Sequence, residues 1–281
     1  FKMGTFEYVK RAEMLPGKKT TKCKWVFKIK QNRDGTISRY KARKVVQGFR
    51  LIEGADYHDK YSATMSATTF RLLCAIAVKT GQRITTADVG NAYLEADMDD
   101  DQFVYVEQDP EYLEPLFPRD DYVLKLKKTL YGMPHSGRAF GLKLAQVLGD
   151  LGFRQCSGDK AVYHKVTEDG RAITVGTYVD DLVCVTDCEK LRAEWQRAMT
   201  AAFTKITFED DLSWMLGIGV KQGVNGDGKK YIALSQQLAI EKLAAKMQGV
   251  VEERKNRIVP MGAKVALRKR KTGEVNTISH N

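Results

Sequence analysis

Thr174-Val175-Gly176-Thr177-Tyr178-Val179-Asp180-Asp181-Leu182-Val183-Cys184-Val185 sets two adjacent aspartates between two runs of β-branched and apolar residues. Such runs read as strands, and so short a polar interruption reads as a hairpin with carboxylates at its tip. Neighbouring carboxylates raise each other's pKa unless a cation neutralises them, so a bound divalent ion would account for the pair. The plainer alternative is a solvated Asp-Asp turn. Asp88 shifts the balance, because it also closes a strand-like run, Arg83 to Val89, and is followed by Gly90-Asn91-Ala92-Tyr93. Three converging acids can hold two divalent ions, Mg²⁺ or Mn²⁺, which activate a hydroxyl nucleophile and stabilise a leaving pyrophosphate.

Outward from this centre, Ser66 predicts the N-cap of a helix whose apolar face uses Phe70, Leu73, Cys74 and Ala77 and which Gly81 ends. Ser136 to Leu151 and Glu189 to Phe203 show the same periodicity, through Phe140, Leu144, Val147, Leu148 and Leu151 and through Leu191, Trp195, Ala198, Met199 and Ala202. Cys23 to Lys30 and Tyr40 to Val46 read as two strands rich in basic residues, joined by the turn Asn32-Arg33-Asp34-Gly35, with Trp25 favoured as a core residue over a stacking one. Ala161–Val166 and Ile173–Val185 are β-rich. Trp214–Gln222 and Tyr231–Leu234 follow, joined by Gly223–Gly228, and Ser235 is expected to cap a helix to about Met247. The basic tail 264–281 is expected to be disordered.

With 281 residues and 43% hydrophobic content the chain can bury a real core. Its net charge of +11 is concentrated: residues 1–50 hold 15 Lys and Arg against Glu7, Glu13 and Asp34. That favours a polyanion partner, since each neutralised phosphate releases counterions; a solvated basic face is the alternative. Residues 95–121 reverse the balance, with eleven acids against Arg119, and are expected to face water. No apolar run reaches 18 residues and the N-terminus carries no signal core, so a soluble intracellular chain with no membrane partner is expected. Five scattered cysteines suit reduced thiols. The chain opens on Phe1 rather than Met, which predicts a piece cut from a longer polyprotein.

Pro16-Gly17-Lys18-Lys19, Cys23-Lys24-Trp25-Val26-Phe27-Lys28, Tyr40-Lys41-Ala42-Arg43, Leu130-Tyr131-Gly132, Tyr178-Val179-Asp180-Asp181, Leu216-Gly217-Ile218 and Leu234-Ser235-Gln236 occur in this order across some 240 residues. In these segments the chain resembles the copia-type reverse transcriptases of long-terminal-repeat retrotransposons. The resemblance implies an α+β right-hand polymerase: fingers from 1–63 and 95–135, palm from 64–94 and 136–234, and the start of a thumb in 235–281. It makes Asp88, Asp180 and Asp181 the catalytic, metal-holding acids of a two-metal site, with the Val89 carbonyl as an added ligand. Arg43, with Lys30 and Lys41 nearby, matches the cations that meet an incoming triphosphate, and Tyr93 the residue that shields the sugar 2′ side. Tyr131 and Gly132 match a segment lying against nucleotide and template. Trp214, Met215, Leu216 and Gly217 match the primer grip.

The implied activity is RNA-directed DNA polymerisation with template–primer and dNTPs, beside the ribonuclease H, integrase and capsid portions of a Gag-Pol polyprotein. The implied location is cytoplasmic virus-like particles, with the nucleus a second location in the integration complex. The alternative is a silent or domesticated remnant that only binds nucleic acid; a maturase-like or telomerase-like polymerase fits the segments less well. Three departures from the family's pattern stand out. Pro134-His135-Ser136-Gly137 replaces the usual Lys-Gln-Ala-Pro, and Ser62-Ala63-Thr64 replaces a proline-containing turn. The family's later thumb helices are missing after Pro260, which implies a weaker grip on a duplex.

Overall fold

The structure, a computed structural model, describes residues 3–31, 36–99, 101–111 and 114–247. In chain order its elements begin β1 (Phe6–Lys10), β2 (Thr20–Thr21), β3 (Cys23–Gln31), β4 (Ile37–Val46), α1 (Ala67–Thr80), β5 (Arg83–Val89), α2 (Ala92–Glu95), β6 (Tyr105–Val106), β7 (Tyr122–Leu126) and α3 (Ser136–Asp150). They continue with β8 (Arg154–Gln155), β9 (Val162–Val166), β10 (Ala172–Tyr178), β11 (Asp181–Thr186), α4 (Glu189–Ala202), β12 (Ile206–Glu209), β13 (Trp214–Met215), β14 (Ile218–Val224), β15 (Lys230–Ser235) and α5 (Gln237–Lys246). The result is a mixed α/β fold with several sheets and few helices.

The central sheet has six strands in the order β12-β5-β11-β10-β9-β8. Its strand β11 is apolar and buried at every position from Leu182 to Val185 because both of its faces are covered. Leu182 and Cys184 face Phe140, Leu144 and Leu148 of α3 and Leu191, Trp195 and Met199 of α4. Val183 and Val185 face the opposite way, against Phe70, Leu73, Cys74 and Ala77 of α1 and against Met215, Ile218 and Val220. Each fully buried Leu, Phe or Met contributes ~1.5–3 kcal/mol to this sandwich. Gly176 of β10 lets α1 approach, since a Cβ there would come within 2.5 Å of Met65 Sδ and 3.1 Å of Leu73 Cδ1.

A second, four-stranded sheet (β1-β7-β6-β2) shelters a smaller core of Val104, Val106, Leu124, Leu126, Leu130 and Met133. The β3–β4 hairpin pairs Cys23 with Val46 and Ile29 with Tyr40; its turn, 32–35, lies outside the described residues. β13, β14 and β15 form a three-stranded sheet. The chain divides into two compact units, Phe1–Ser235 and Gln236–Asn281. The second contributes α5, whose Leu238, Ile240 and Leu243 are exposed.

The α1 helix starts and stops as its sequence predicts: the Ser66 side chain accepts from Thr69 N–H at 3.0 Å and Gly81 adopts φ 70°. Other expectations need correction. Ser235 is the last residue of β15, where it pairs with Gly219, and α5 starts after Gln236 with no side-chain cap. Trp25 is not a core residue: it is 46% exposed and its Nε1 donates to Asp109 at 2.6 Å. The acidic stretch does not wholly face water. Glu95 is 2% exposed, and Glu107 sits part-buried in an ion pair with Arg11. The tail 264–281 lies outside the described residues, among which no helix is long and apolar enough to cross a membrane. All five cysteines are free thiols.

Candidate active site

The register of the central sheet brings the acids together. β11 runs antiparallel to β5 with Asp181 opposite Asp88, and residues opposite one another in an antiparallel pair project from the same face. That face is the one carrying Ile84, Val183 and Val185, so both carboxylates emerge at the end of the sheet toward β13 and β14. β10 and β11 meet at Tyr178 and Asp181, leaving Val179-Asp180 as a two-residue turn. Val179 takes φ 53°. For a β-branched residue this conformation is strained, and such strain persists only where the surroundings over-determine it. The Val89 N–H donates to the Asp180 carbonyl at 2.9 Å, tying the turn to the end of β5.

A cleft of about 720 Å³ opens over these residues. Asp88, Val89, Asp180 and Asp181 line one side of it, Arg39 and Lys41 of the hairpin another, and Tyr131, Lys205, Ser213, Trp214 and Met215 complete the wall. Electrostatics couple these groups. Burial pushes the Asp181 carboxyl up to about 6, and the charges of Asp180 and Asp88 push in the same direction. Burial and then Asp180 also raise Asp88, against the opposing pull of Lys41, Arg39 and Lys205. Lys41 is lowered by burial and by its fellow cations Arg43, Arg39 and Lys30, and Asp180 partly offsets this. Carboxylates that suppress one another's ionisation while lining an open cleft have the donor chemistry a divalent cation relieves. Among the described residues, however, no three His, Cys, Asp or Glu side chains are drawn close enough to form a finished metal cluster.

The remaining candidates fall into three groups. Lys41, Tyr131, Trp214 and Met215 join the acids in the cleft. Arg43 and Tyr93 stand behind Tyr131: the guanidinium lies 4.9 Å from the Tyr131 ring centre, and the Tyr93 ring meets that ring edge-on at 4.9 Å. Lys30, Gly132, Leu216 and Gly217 are not among the cleft-lining residues. Lys30 pairs with Arg39 along the hairpin. Gly132 has φ 90°, and a Cβ there would come within 2.2 Å of the Val46 carbonyl. It lets the Tyr131 segment grip the hairpin base, where Val46 N–H donates to the Tyr131 carbonyl at 2.8 Å. Leu216 and Gly217 both take positive φ, the signature of a type I′ turn between β13 and β14.

Sequence reading missed Arg39 and Lys205. Arg39 had a signal, since it alternates with Lys41 and Arg43 on one face of a strand. Lys205 had none: it reaches Asp88 only because β12 pairs with β5, placing Thr207 opposite Asp88. Of the sequence departures, His135 is buried against Tyr57 with ring centres 5.7 Å apart, and Ser136 Oγ donates to the Leu130 carbonyl at 2.6 Å.

Comparison with known proteins gives the family. Residues 5–258 match the family model for reverse transcriptase (RNA-dependent DNA polymerase). The chain is 32% identical over 213 residues to the retrovirus-related Pol polyprotein from transposon RE2 of Arabidopsis thaliana, covering 74% of this chain and 14% of that protein. It is 32% identical over 202 residues to the corresponding polyprotein from transposon TNT 1-94 of Nicotiana tabacum, covering 72% and 15%. With the transposon Ty1-DR4 Gag-Pol polyprotein of Saccharomyces cerevisiae it shares 28% identity over 184 residues, covering 64% and 10%. The chain thus spans about a seventh of the length of the plant relatives. A match that takes in the sheet, the acid turn and the basic hairpin together places the chain in the reverse transcriptase family, among the Pol polyproteins of copia-type transposons.

Proposed function

We propose that the chain is an RNA-directed DNA polymerase that copies retrotransposon RNA into DNA by two-metal nucleotidyl transfer. The observation that carries this reading is the placement of Asp88 opposite Asp181, beside the strained turn bearing Asp180, in a cleft whose facing wall is cationic. In this reading the β3–β4 hairpin and the four-stranded sheet are fingers, the six-stranded sheet with α1, α3 and α4 is palm, β13–β14 is the primer grip, and α5 begins a thumb.

Asp88, Asp180 and Asp181, with the Val89 carbonyl, would hold the divalent ions. Bound there, these supply the charge that lowers the pKa of a primer 3′-hydroxyl and neutralises the leaving pyrophosphate. The chain's own cations act on the other end of the nucleotide. Arg39, Lys41 and Arg43 lie along one face of the hairpin and would clamp triphosphate oxygens, where Arg offers paired donors and Lys a point charge. The Tyr93–Tyr131 pair would form the wall against the sugar, and Trp214 and Met215 would set the primer end. Template–primer and dNTPs are then the substrates, in cytoplasmic particles that hold the other Pol and Gag products.

Primer extension on oligo(dT)-primed poly(rA), with Mg²⁺ or Mn²⁺, tests the reading against a double Asp180→Asn, Asp181→Asn control. Extension by the parent that is lost in the control supports it. A folded parent that binds template–primer in a salt-sensitive way and does not extend would favour a silent remnant instead.

A further inference from the structure

Glu95 belongs to an acidic stretch yet is only 2% exposed, and it lies outside the cleft that holds Asp88, Asp180 and Asp181. It ends α2, the single helical turn that also carries Tyr93. Its carboxylate reaches just beyond the C-terminus of α4, where the helix field disfavours an anion. Two hydrogen bonds and one ion pair compensate. Thr204 N–H donates to Oε1 at 3.1 Å, Thr204 Oγ1 donates to Oε2 at 3.2 Å, and Lys143 Nζ lies 3.9 Å from Oε2 while donating to the Glu95 carbonyl at 2.7 Å. A buried carboxylate is tolerated only with such a set of partners.

The partners sit next to the cleft. Thr204 precedes Lys205, whose carbonyl accepts from Gly90 N–H at 2.8 Å and whose side chain packs where a Cβ on Gly90 would come within 2.9 Å. The segment from Asp88 to Glu95 therefore grips Thr204-Lys205 twice, once through Gly90 and once through the Glu95 carboxylate. On its other side, Thr129 Oγ1 donates to the Tyr93 carbonyl and Thr129 N–H to the Ala96 carbonyl.

We propose that Glu95 is a positioning residue of the polymerase site: its buried carboxylate locks α2 to Thr204 and thereby fixes the Tyr93 ring against Tyr131 and the Lys205 side chain beside Asp88. The inference rests on the polymerase reading above. It assigns the nucleotide wall a support that touches neither nucleotide nor metal.

Steady-state extension of oligo(dT)-primed poly(rA) by the full chain separates this role from a merely structural one. Displacing α2 by a fraction of an ångström should raise the dTTP KM of Glu95→Gln about tenfold while kcat stays within about threefold. The preference for dTTP over UTP should fall in parallel. Thr204→Val, which removes one hydrogen bond and leaves the backbone N–H and Lys143 to hold the carboxylate, should show the same split at about threefold, and Thr204→Ser should restore parent values. Folded variants with the parent's dTTP KM and dTTP-to-UTP preference, or a fall in kcat alone, would overturn the inference and leave the polymerase reading standing. A parent chain with no extension would overturn both.

Discussion

The six-stranded sheet and the β3–β4 hairpin are built from similar β-branched and aromatic residues, yet they bury them in opposite ways. In the sheet, Leu182 and Val183 are consecutive, point to opposite faces, and are each 0% exposed. In the hairpin, Phe27 and Tyr40 are 76% and 75% exposed, and the opposite face is a row of cations. The acids therefore stand on a frame packed on both sides. The cations stand on a two-stranded element that is marginal alone and is secured at its base by Tyr131 and Gly132. The polymerase reading proposed above would use both properties: carboxylates held rigidly to fix metal geometry, and a charged arm to meet a triphosphate.

The largest effect should come from the frame's carboxylates. Asp88→Asn keeps the shape of the side chain and removes one charge, and should lower extension about 10³-fold with little change in fold, measured by single-turnover kinetics and circular dichroism. A loss under about tenfold would mean that Asp88 does not hold metal. Next comes the packing that holds those carboxylates. Phe140 of α3 is 1% exposed within the core beneath β5 and β11, so Phe140→Ala should cost about 3–5 kcal/mol in chemical denaturation. A smaller cost would show that the frame relaxes around the cavity and is less rigid than its burial suggests.

A third prediction opposes stability to function at one residue. Asp181 is raised from its ordinary 3.8 to about 6, so the folded state holds that proton more tightly than the unfolded chain. The stabilisation this provides is complete below the unfolded value near 4 and is lost as pH rises through about 6. At pH 7 without metal the ionised carboxylate strains the fold, and Asp181→Asn should relieve it. In full the shift corresponds to about 3 kcal/mol; at this solvent-facing rim screening leaves about 1 kcal/mol of gain. Thermal melts from pH 4 to 8 with chelator would show the parent and Asp181→Asn converging at the acid end. Melts that stay parallel would mean that Asp181 is not strained by its neighbours.

These differences also explain what the sequence alone disclosed. Where a signal is local it was readable: Ser66 and Gly81 bracket α1, Asp88 closes its strand, and the Tyr-Val-Asp-Asp turn lies between two apolar runs. Where the cause lies elsewhere in the chain it was not. Lys205 reaches Asp88 only through strand pairing, and Glu95 looks like one more acid in a solvated run until Thr204 and Lys143 arrive from over a hundred and nearly fifty residues away. Ser235 resembles a helix cap because nothing local reveals its pairing with Gly219. Trp25 differs from its expectation for a related reason: alternation places it on an apolar face, but only the third dimension shows that packing covers Cys23 and Val46 at the base of that face and leaves Trp25 46% exposed.

The smallest effect should fall on the outer, exposed part of that face and tests the comparison most directly. Phe27 is a large aromatic residue in a regular strand, opposite Ala42. By residue type alone, its removal should resemble Phe140→Ala. Because it is 76% exposed, with Trp25 its near ring neighbour at 6.3 Å, Phe27→Ser should change global stability by less than about 0.5 kcal/mol. The same denaturation experiment that registers Phe140→Ala should barely register it, while a gel-shift assay on unpaired template could still reveal a loss of base stacking. A cost near that of Phe140→Ala would place Phe27 under a covering layer, and the hairpin would then belong with the rigid frame, against the contrast drawn between the two.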